Sequence, residues 1–281
     1  MSVKKPTRKV SEAEKEMADL TRTLTPHLLS IVSDVANEKP RLCTDEVIAF
    51  ALQNVCNLDP TWKIGASKSG HFFVHSQSTM AELTAFEAYS NEFAEMDRFE
   101  REDARFTFTK GAERSSFLAL CETMQMLKTT SLEKTAGLDS LYIPINHSTH
   151  WSILIISVPR RTALHLDSLY NKEHQDIARR IISMLISAKL IAPYRFELKM
   201  PVPKIQSSVW ECGWAVVLYS IWWSNSSEQT NFGDCKQISI SNTAIVSLAK
   251  KILRINTSKE RLQCYANRLS NAYDSLELFV D

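Results

Sequence analysis

The stretch Ile205-Gln-Ser-Ser-Val-Trp-Glu-Cys-Gly-Trp-Ala-Val-Val-Leu-Tyr219 reads as a polar turn running into an apolar helix, with Cys212 and Gly213 at the join. A cysteine at a helix N-terminus feels the positive end of the helix dipole, which favours thiolate over thiol. Gly213, lacking a Cβ, is expected to let a substrate backbone come close. Cys212 is therefore the first candidate nucleophile, and the segments on either side decide what fold carries it.

Upstream, Leu141–Ile145, Trp151–Ser157 and Ala163–Leu166 are short apolar segments of β type joined by polar turns. Residues 172–189 return to helical spacing, with Ile177, Ile181, Met184 and Leu185 on one side. Phe196–Met200 alternates apolar and polar residues and predicts a fourth strand before the Cys212 helix. After that helix a polar loop, 224–234, leads into a C-terminal helical region.

Towards the N-terminus, Thr44 has the chemistry of an N-cap, with Asp45 and Glu46 in the first turn where the dipole favours acids. Val47, Ile48, Ala51 and Val55 then make one apolar stripe facing the core. Asp59-Pro60 predicts a turn, and Phe72–Val74 a short strand or the entry to a helix. Residues 81–110 and Phe117–Leu127 predict helices. Met17, Leu20, Leu24, Leu28, Leu29 and Val32 predict one or two more, broken near Pro26.

Helices, then strands crossed by a helix, then helices again define an α+β fold, a small mixed β-sheet flanked by helices. The expected organisation is a helical N-terminal extension over 1–40 and a main domain over 41–225 with a helical insertion at about 76–128. A C-terminal helical region over 226–281 packs on that domain.

With 33 basic and 32 acidic residues the net charge is +1, which leaves no footprint of nucleic-acid or membrane-surface binding. The longest nearly apolar run, Trp214–Trp223, is too short to span a bilayer, and the N-terminus lacks the apolar core of a signal peptide. The expectation is a soluble protein acting inside a cell, in cytoplasm or nucleus, and in a host cell if it is a secreted effector or a viral protein. Cys43, Cys56, Cys121, Cys212, Cys235 and Cys264 form no CxxC pair, so reduced thiols are expected rather than a zinc site or a disulfide framework. His71, His75, His165 and His174 have no metal-ligand spacing and read as surface or core residues. No metal or cofactor is called for.

Cysteine catalysis needs a thiolate, an imidazole to hold or take the proton, and a third group that fixes the imidazole tautomer. His150 immediately precedes one strand and Asp167 ends the next. Adjacent strands set their ends side by side, so the two can meet at one edge of the sheet. Gln206 lies on the turn just ahead of Cys212. Its amide N–H and the backbone N–H of Cys212 are the kind of donor pair that acyl transfer uses to hold an oxyanion.

The conjunction Leu141-Tyr-Ile-Pro-Ile-Asn146, His150-Trp-Ser-Ile-Leu154, Leu166-Asp-Ser168 and Gln206…Glu211-Cys-Gly213 resembles the ubiquitin-like-specific proteases, the Ulp/SENP cysteine peptidases of clan CE. Thr44-Asp-Glu-Val-Ile-Ala-Phe50 resembles that family's "NDEVINF" helix. The resemblance covers about residues 40–225, in the family's order, and the chain reads as a divergent member. The order His–Asp–Cys puts the cysteine last, whereas papain's puts it first, which counts against a papain-like reading.

The resemblance implies that Cys212 is the nucleophile, His150 the general base and acid, Asp167 its orienting carboxylate, and Gln206 the oxyanion-hole side chain. It implies that Trp151 covers a narrow channel for the Gly-Gly tail of a modifier, a channel that only residues without a Cβ can pass. Leu42 stands where the family has a second channel tryptophan, which implies a smaller lid. Glu211 stands where the family has Asp, and Trp210 is near enough in sequence to line the site. The implied partner is a ubiquitin-like modifier (SUMO, Nedd or ubiquitin) and its conjugates, cleaved after Gly-Gly.

Three other readings share these residues. Related effectors with a similar array pass an acetyl group from acetyl-coenzyme A through the cysteine, although that branch usually carries Glu where this chain has Asp167. A protease processing Gly-Gly sites in other proteins is a second, and a catalytically idle module that only binds a modifier is a third.

Overall fold

The computed structural model describes residues 23–60, 70–74, 139–157, 160, 162–187, 197–199, 206–225 and 240–277. Its strands are β1 (Asp59–Pro60), β2 (His71–Phe73), β3 (Ser140–His147), β4 (His150–Ser157), β5 (Thr162–Leu166) and β6 (Glu197–Lys199). They lie in one sheet in that order, with β3–β4 and β4–β5 antiparallel and the other pairs parallel. The helices are α1 (Pro26–Ala36), α2 (Asp45–Asn54), α3 (Lys172–Ser187), α4 (Cys212–Ser224) and α5 (Asn242–Glu277). This is an α+β fold around a mixed sheet. The insertion expected at about 76–128 lies outside the described residues, as do the helices expected at 81–110 and 117–127.

The antiparallel hairpins are what local sequence dictates. β3 and β4 are joined by Ser148 and Thr149 alone, with φ of 49° and 64°. A two-residue hairpin needs positive φ at both positions to follow the strand twist, and a β-branched threonine resists that conformation. Strain is therefore held one residue ahead of His150. The parallel β5–β6 pair needs a crossover, and α3 is the helical segment between them.

Every residue of β4 is buried, as expected of a strand covered on both faces. Pairing fixes which residues share a face. Tyr142, Trp151, Ile153, Ile155, Leu164 and Leu166 belong to one core with α2 and α4, including Phe50, Trp214 and Val217. Leu141, Ile143, Ile145, Leu154 and Ile156 turn the other way, where α3 packs on β3 and buries Ile177, Ala178 and Ile181. The sheet thus has helices on both faces, and α4 enters from the first of them.

Helix starts follow their caps. Thr44 Oγ1 accepts the Val47 N–H at 3.4 Å, with Asp45 and Glu46 in the first turn of α2. Pro26 opens α1 behind the Thr25 cap, where its missing N–H costs nothing. α1 packs against α5, and the Leu24 N–H donates to the buried Asn256 Oδ1 at 2.8 Å. One local expectation is corrected. Asp59-Pro60 is not a free turn but a short edge strand paired with β2, a place that suits proline because it has no N–H for a further ladder.

Candidate active site

Cys212 is the first residue of α4 and is 1% exposed. The Trp214 indole N–H donates to the Arg41 carbonyl at 3.0 Å and holds the segment before α2 against the start of α4. A Cβ on Gly213 would stand 2.7 Å from Cys43 Cβ and 3.3 Å from Trp151 Cδ1. The expectation that Gly213 admits substrate backbone is therefore corrected. That face of the helix is turned inward, and the glycine lets Cys43 and Trp151 close over the first turn. Burial first, then the charges of Cys212, Asp45 and Glu46, push the Cys43 thiol well above its ordinary value, so Cys43 stays a protonated, inert neighbour.

His150 and Asp167 meet as the strand ends predict. Nε2 of His150 lies 2.6 Å from Asp167 Oδ1, both side chains buried. The carboxylate also accepts the Leu169 N–H at Oδ1 (2.9 Å) and the Asn171 N–H at Oδ2 (2.6 Å). The loop that wraps it includes Tyr170 at φ 60°. Burial would raise the Asp167 carboxyl, but the bonds from His150, Leu169 and Asn171 outweigh it and hold the pKa below the usual range. Burial likewise disfavours the His150 imidazolium. Hydrogen bonds with Asp167 and with Cys212, and the charges of both, overcome it and push the pKa up to about 9. With Nε2 committed to Asp167, Nδ1 is the nitrogen left for the Cys212 thiol.

The loop ahead of Cys212 is strapped by Glu211. Its carboxylate accepts the Ser207 N–H and the Ser207 hydroxyl, each at 2.7 Å, and the Ser208 N–H at 3.3 Å. Gln206, 6% exposed, is gripped from Ser168: the Ser168 hydroxyl donates to Gln206 Oε1 at 2.5 Å, and the Ser168 carbonyl accepts the Gln206 N–H at 3.3 Å. An amide whose oxygen is held this way turns its two N–H donors to the other side. Neither Glu211 nor Ser168 announced this in the sequence, although both sit within two residues of a singled-out position.

Trp151 is 7% exposed and touches the start of α4, Trp210 is partly buried against the core, and Leu42 is 58% exposed beside Cys43. Tyr170 and Val209 are also exposed, at 55% and 78%. Leu42 adjoins Cys43, which lies against Gly213, Tyr170 stands on the loop that follows Asp167, and Val209 on the loop ahead of Cys212. Sequence reading also passed over what lies behind His150. The ring of His174 packs edge-on to it at 4.7 Å, and His174, Ser152 and His165 are joined by hydrogen bonds. Among the described residues no group of three His, Cys, Asp or Glu side chains could hold a metal ion, and no helix is long and apolar enough to cross a membrane.

A family model described as the Ulp1 protease family, C-terminal catalytic domain, matches residues 44–235, more than half of the chain. The chain belongs to the Ulp1 protease family. That family consists of cysteine peptidases, and the match runs from the α2 cap to beyond the Cys212 helix. Among solved structures the chain is similar to the SUMO protease Ulp1 with its catalytic cysteine oxidised to a sulfinic acid, at 14% identity over 90% of this chain and 97% of that one, with a TM-score of 0.45. It is similar to the C-terminal Ulp1 protease domain in complex with Smt3, the yeast ortholog of SUMO, at 15% identity over 87% and 98%, TM-score 0.44. It is also similar to the Rickettsia bellii effector protein RickCE, at 16% identity over 86% and 82%, TM-score 0.32. No curated protein sequence matches the chain.

Proposed function

We propose that this Ulp1-family chain is a thiol peptidase that cleaves after the C-terminal Gly-Gly of a ubiquitin-like modifier, through an acyl-enzyme on Cys212. The observation that carries the reading is the buried His150–Asp167 hydrogen bond, with Cys212 at the start of α4 near enough to His150 to help raise its pKa. His150 Nδ1 takes the thiol proton, and the Cys212 sulfur attacks the carbonyl carbon of the terminal glycine. The oxyanion is met by the Cys212 backbone N–H and the Gln206 amide, whose orientation Ser168 fixes. The imidazolium then gives its proton to the leaving amine as the C–N bond breaks. In the second half His150 takes a proton from water, the hydroxide displaces the sulfur, and the modifier leaves with a free carboxylate.

Asp167 holds the proton on Nε2, so that Nδ1 is the nitrogen that cycles. Trp151, packed against Gly213, suits a lid over a tail that lacks side chains. The exposed Leu42, Tyr170 and Val209 offer an apolar rim for the protein that carries the tail. Leu42 leaves that rim more open than a tryptophan would.

The test is covalent labelling by C-terminally reactive ubiquitin, SUMO and Nedd probes, wild type against Cys212→Ala. Labelling by one probe, lost in the variant, supports the reading and names the modifier. A variant labelled as well as wild type refutes Cys212 as nucleophile. No labelling, with acetylation of Cys212 by acetyl-coenzyme A seen by mass spectrometry, replaces the protease with an acetyltransferase.

A further inference from the structure

Besides Asp167 and Cys212, His150 has a further buried neighbour, His174, that the reaction as written does not use. His174, in the first turn of α3, is 0% exposed, Ser152 is 1% and His165 is 2%. Strand pairing explains how these residues meet. Ser152 follows His150 by two positions on β4, and His165 precedes Asp167 by two on β5, so each shares the face of its partner. α3 then lays His174 across that face.

The bonds fix every proton. His174 Nε2 lies 3.1 Å from the His147 carbonyl, which can only accept, so Nε2 carries the hydrogen. The neutral ring then offers the Nδ1 lone pair to the Ser152 hydroxyl at 2.7 Å. Ser152 Oγ in turn accepts from His165 Nε2 at 3.0 Å. The chain runs one way, from His165 through Ser152 and His174 to the carbonyl that ends β3. Burial first, with the charge of His150 behind it, holds His174 below its ordinary range, and burial lowers His165 to about 4. Both rings therefore stay neutral beside an imidazole that must carry charge.

We propose that His174, locked by Ser152 and His165, is a positioning residue for His150. The geometric need is specific. The bond to Asp167 grips His150 at Nε2, near the far end of the ring, and restrains rotation about Cβ–Cγ poorly. That same rotation sweeps Nδ1 through space, and Nδ1 is the atom that must reach Cys212. An edge-on ring at 4.7 Å with an interplanar angle of 69°, itself tied at both nitrogens, blocks the sweep. The groups facing His174 are His150 and Ser152 from β4, His147 from the end of β3, His165 from β5 and the Asp167 carboxylate just past it. Its own element adds Glu173, which pairs with His147 at 3.6 Å.

The inference rests on His150 being the reaction's base and acid, and the test separates the two claims. Wild type, His174→Ala and Ser152→Ala are compared for kcat and KM on the modifier substrate that the probes select. Each is also examined by nitrogen-15 NMR of the histidine rings across pH. The expected result is a fall in kcat of roughly tenfold or more with KM within about twofold, together with a displaced His150 titration in both variants. Ser152→Ala exchanges one small residue for another and keeps the protein folded if His174→Ala does not. Wild-type kcat and an unmoved His150 titration in folded Ser152→Ala overturn the proposal. If wild type cleaves no modifier substrate, the functional reading falls, while the His150 titration still decides whether His174 positions the ring.

Discussion

Replacing Asp167 with Asn changes almost no volume and removes one charge, which makes it the sharpest probe of the His150 pair. The wild-type carboxylate accepts three bonds, from His150, from the Leu169 N–H and from the Asn171 N–H. An asparagine cannot satisfy all three. If its oxygen stays with His150, its NH2 faces the Asn171 N–H, donor against donor. If it flips, the NH2 faces His150 Nε2 and demands the tautomer with the proton on Nδ1, which cannot take a proton from Cys212. The displacement of His150 from 6.5 to about 9 corresponds to about 3 kcal/mol favouring the imidazolium, at about 1.4 kcal/mol per pH unit. The part owed to the bond and charge of Asp167 is lost with the carboxylate. The expected outcome is that the alkaline limb of kcat/KM, near 9 in wild type, moves down towards 6.5, and that kcat falls by about 100-fold to 10,000-fold. The assay is hydrolysis of a fluorogenic Gly-Gly modifier substrate from pH 5 to 10, with a thermal melt at each end to confirm folding. An alkaline limb that stays near 9 in a folded Asp167→Asn, with kcat within threefold of wild type, would refute the reasoning.

Three further outcomes follow from the same geometry. Gly213→Ala drives a Cβ to 2.7 Å from Cys43 Cβ, so urea unfolding should show a loss of about 1–3 kcal/mol, partly restored by Cys43→Gly; a neutral Gly213→Ala contradicts the packing. Ser168→Ala frees Gln206 Oε1 and should lower kcat by about tenfold or more in wild type but hardly at all in Gln206→Ala; equal losses in both backgrounds show that Ser168 does not act through Gln206. The buried pair also makes stability depend on pH. His150, raised in the folded state, contributes fully below about 6.5 and loses its contribution as pH rises through about 9, whereas Asp167, lowered in the folded state, loses its contribution as pH falls through its depressed value. Urea unfolding should therefore find wild type losing more stability than His150→Gln between pH 7 and 9.5, and parallel curves would rule this out.

Much of the site lies in short-range pattern. Short apolar runs of β type joined by polar turns mark β3, β4 and β5, and antiparallel pairing across such short turns brings the start of β4 and the end of β5 together. That is why His150 and Asp167 can be paired on paper. The polar turn before an apolar run marks the start of α4, and with it the place of Cys212. Thr44, Asp45 and Glu46 announce α2 through capping alone. Such signals depend on neighbours a few residues apart, whose geometry the backbone fixes.

Tertiary structure decided what residues distant in sequence do to one another. The inward role of Gly213 exists only because Cys43 and Trp151 close on it, and the Trp214 indole holds Arg41 in reach. His174 looks like any histidine in the first turn of an amphipathic helix until α3 crosses the sheet and sets it against His150. Asp59-Pro60 becomes a strand only because β2 lies alongside. Each of these rests on the packing of elements far apart in the chain, and no local period encodes which side chains then meet.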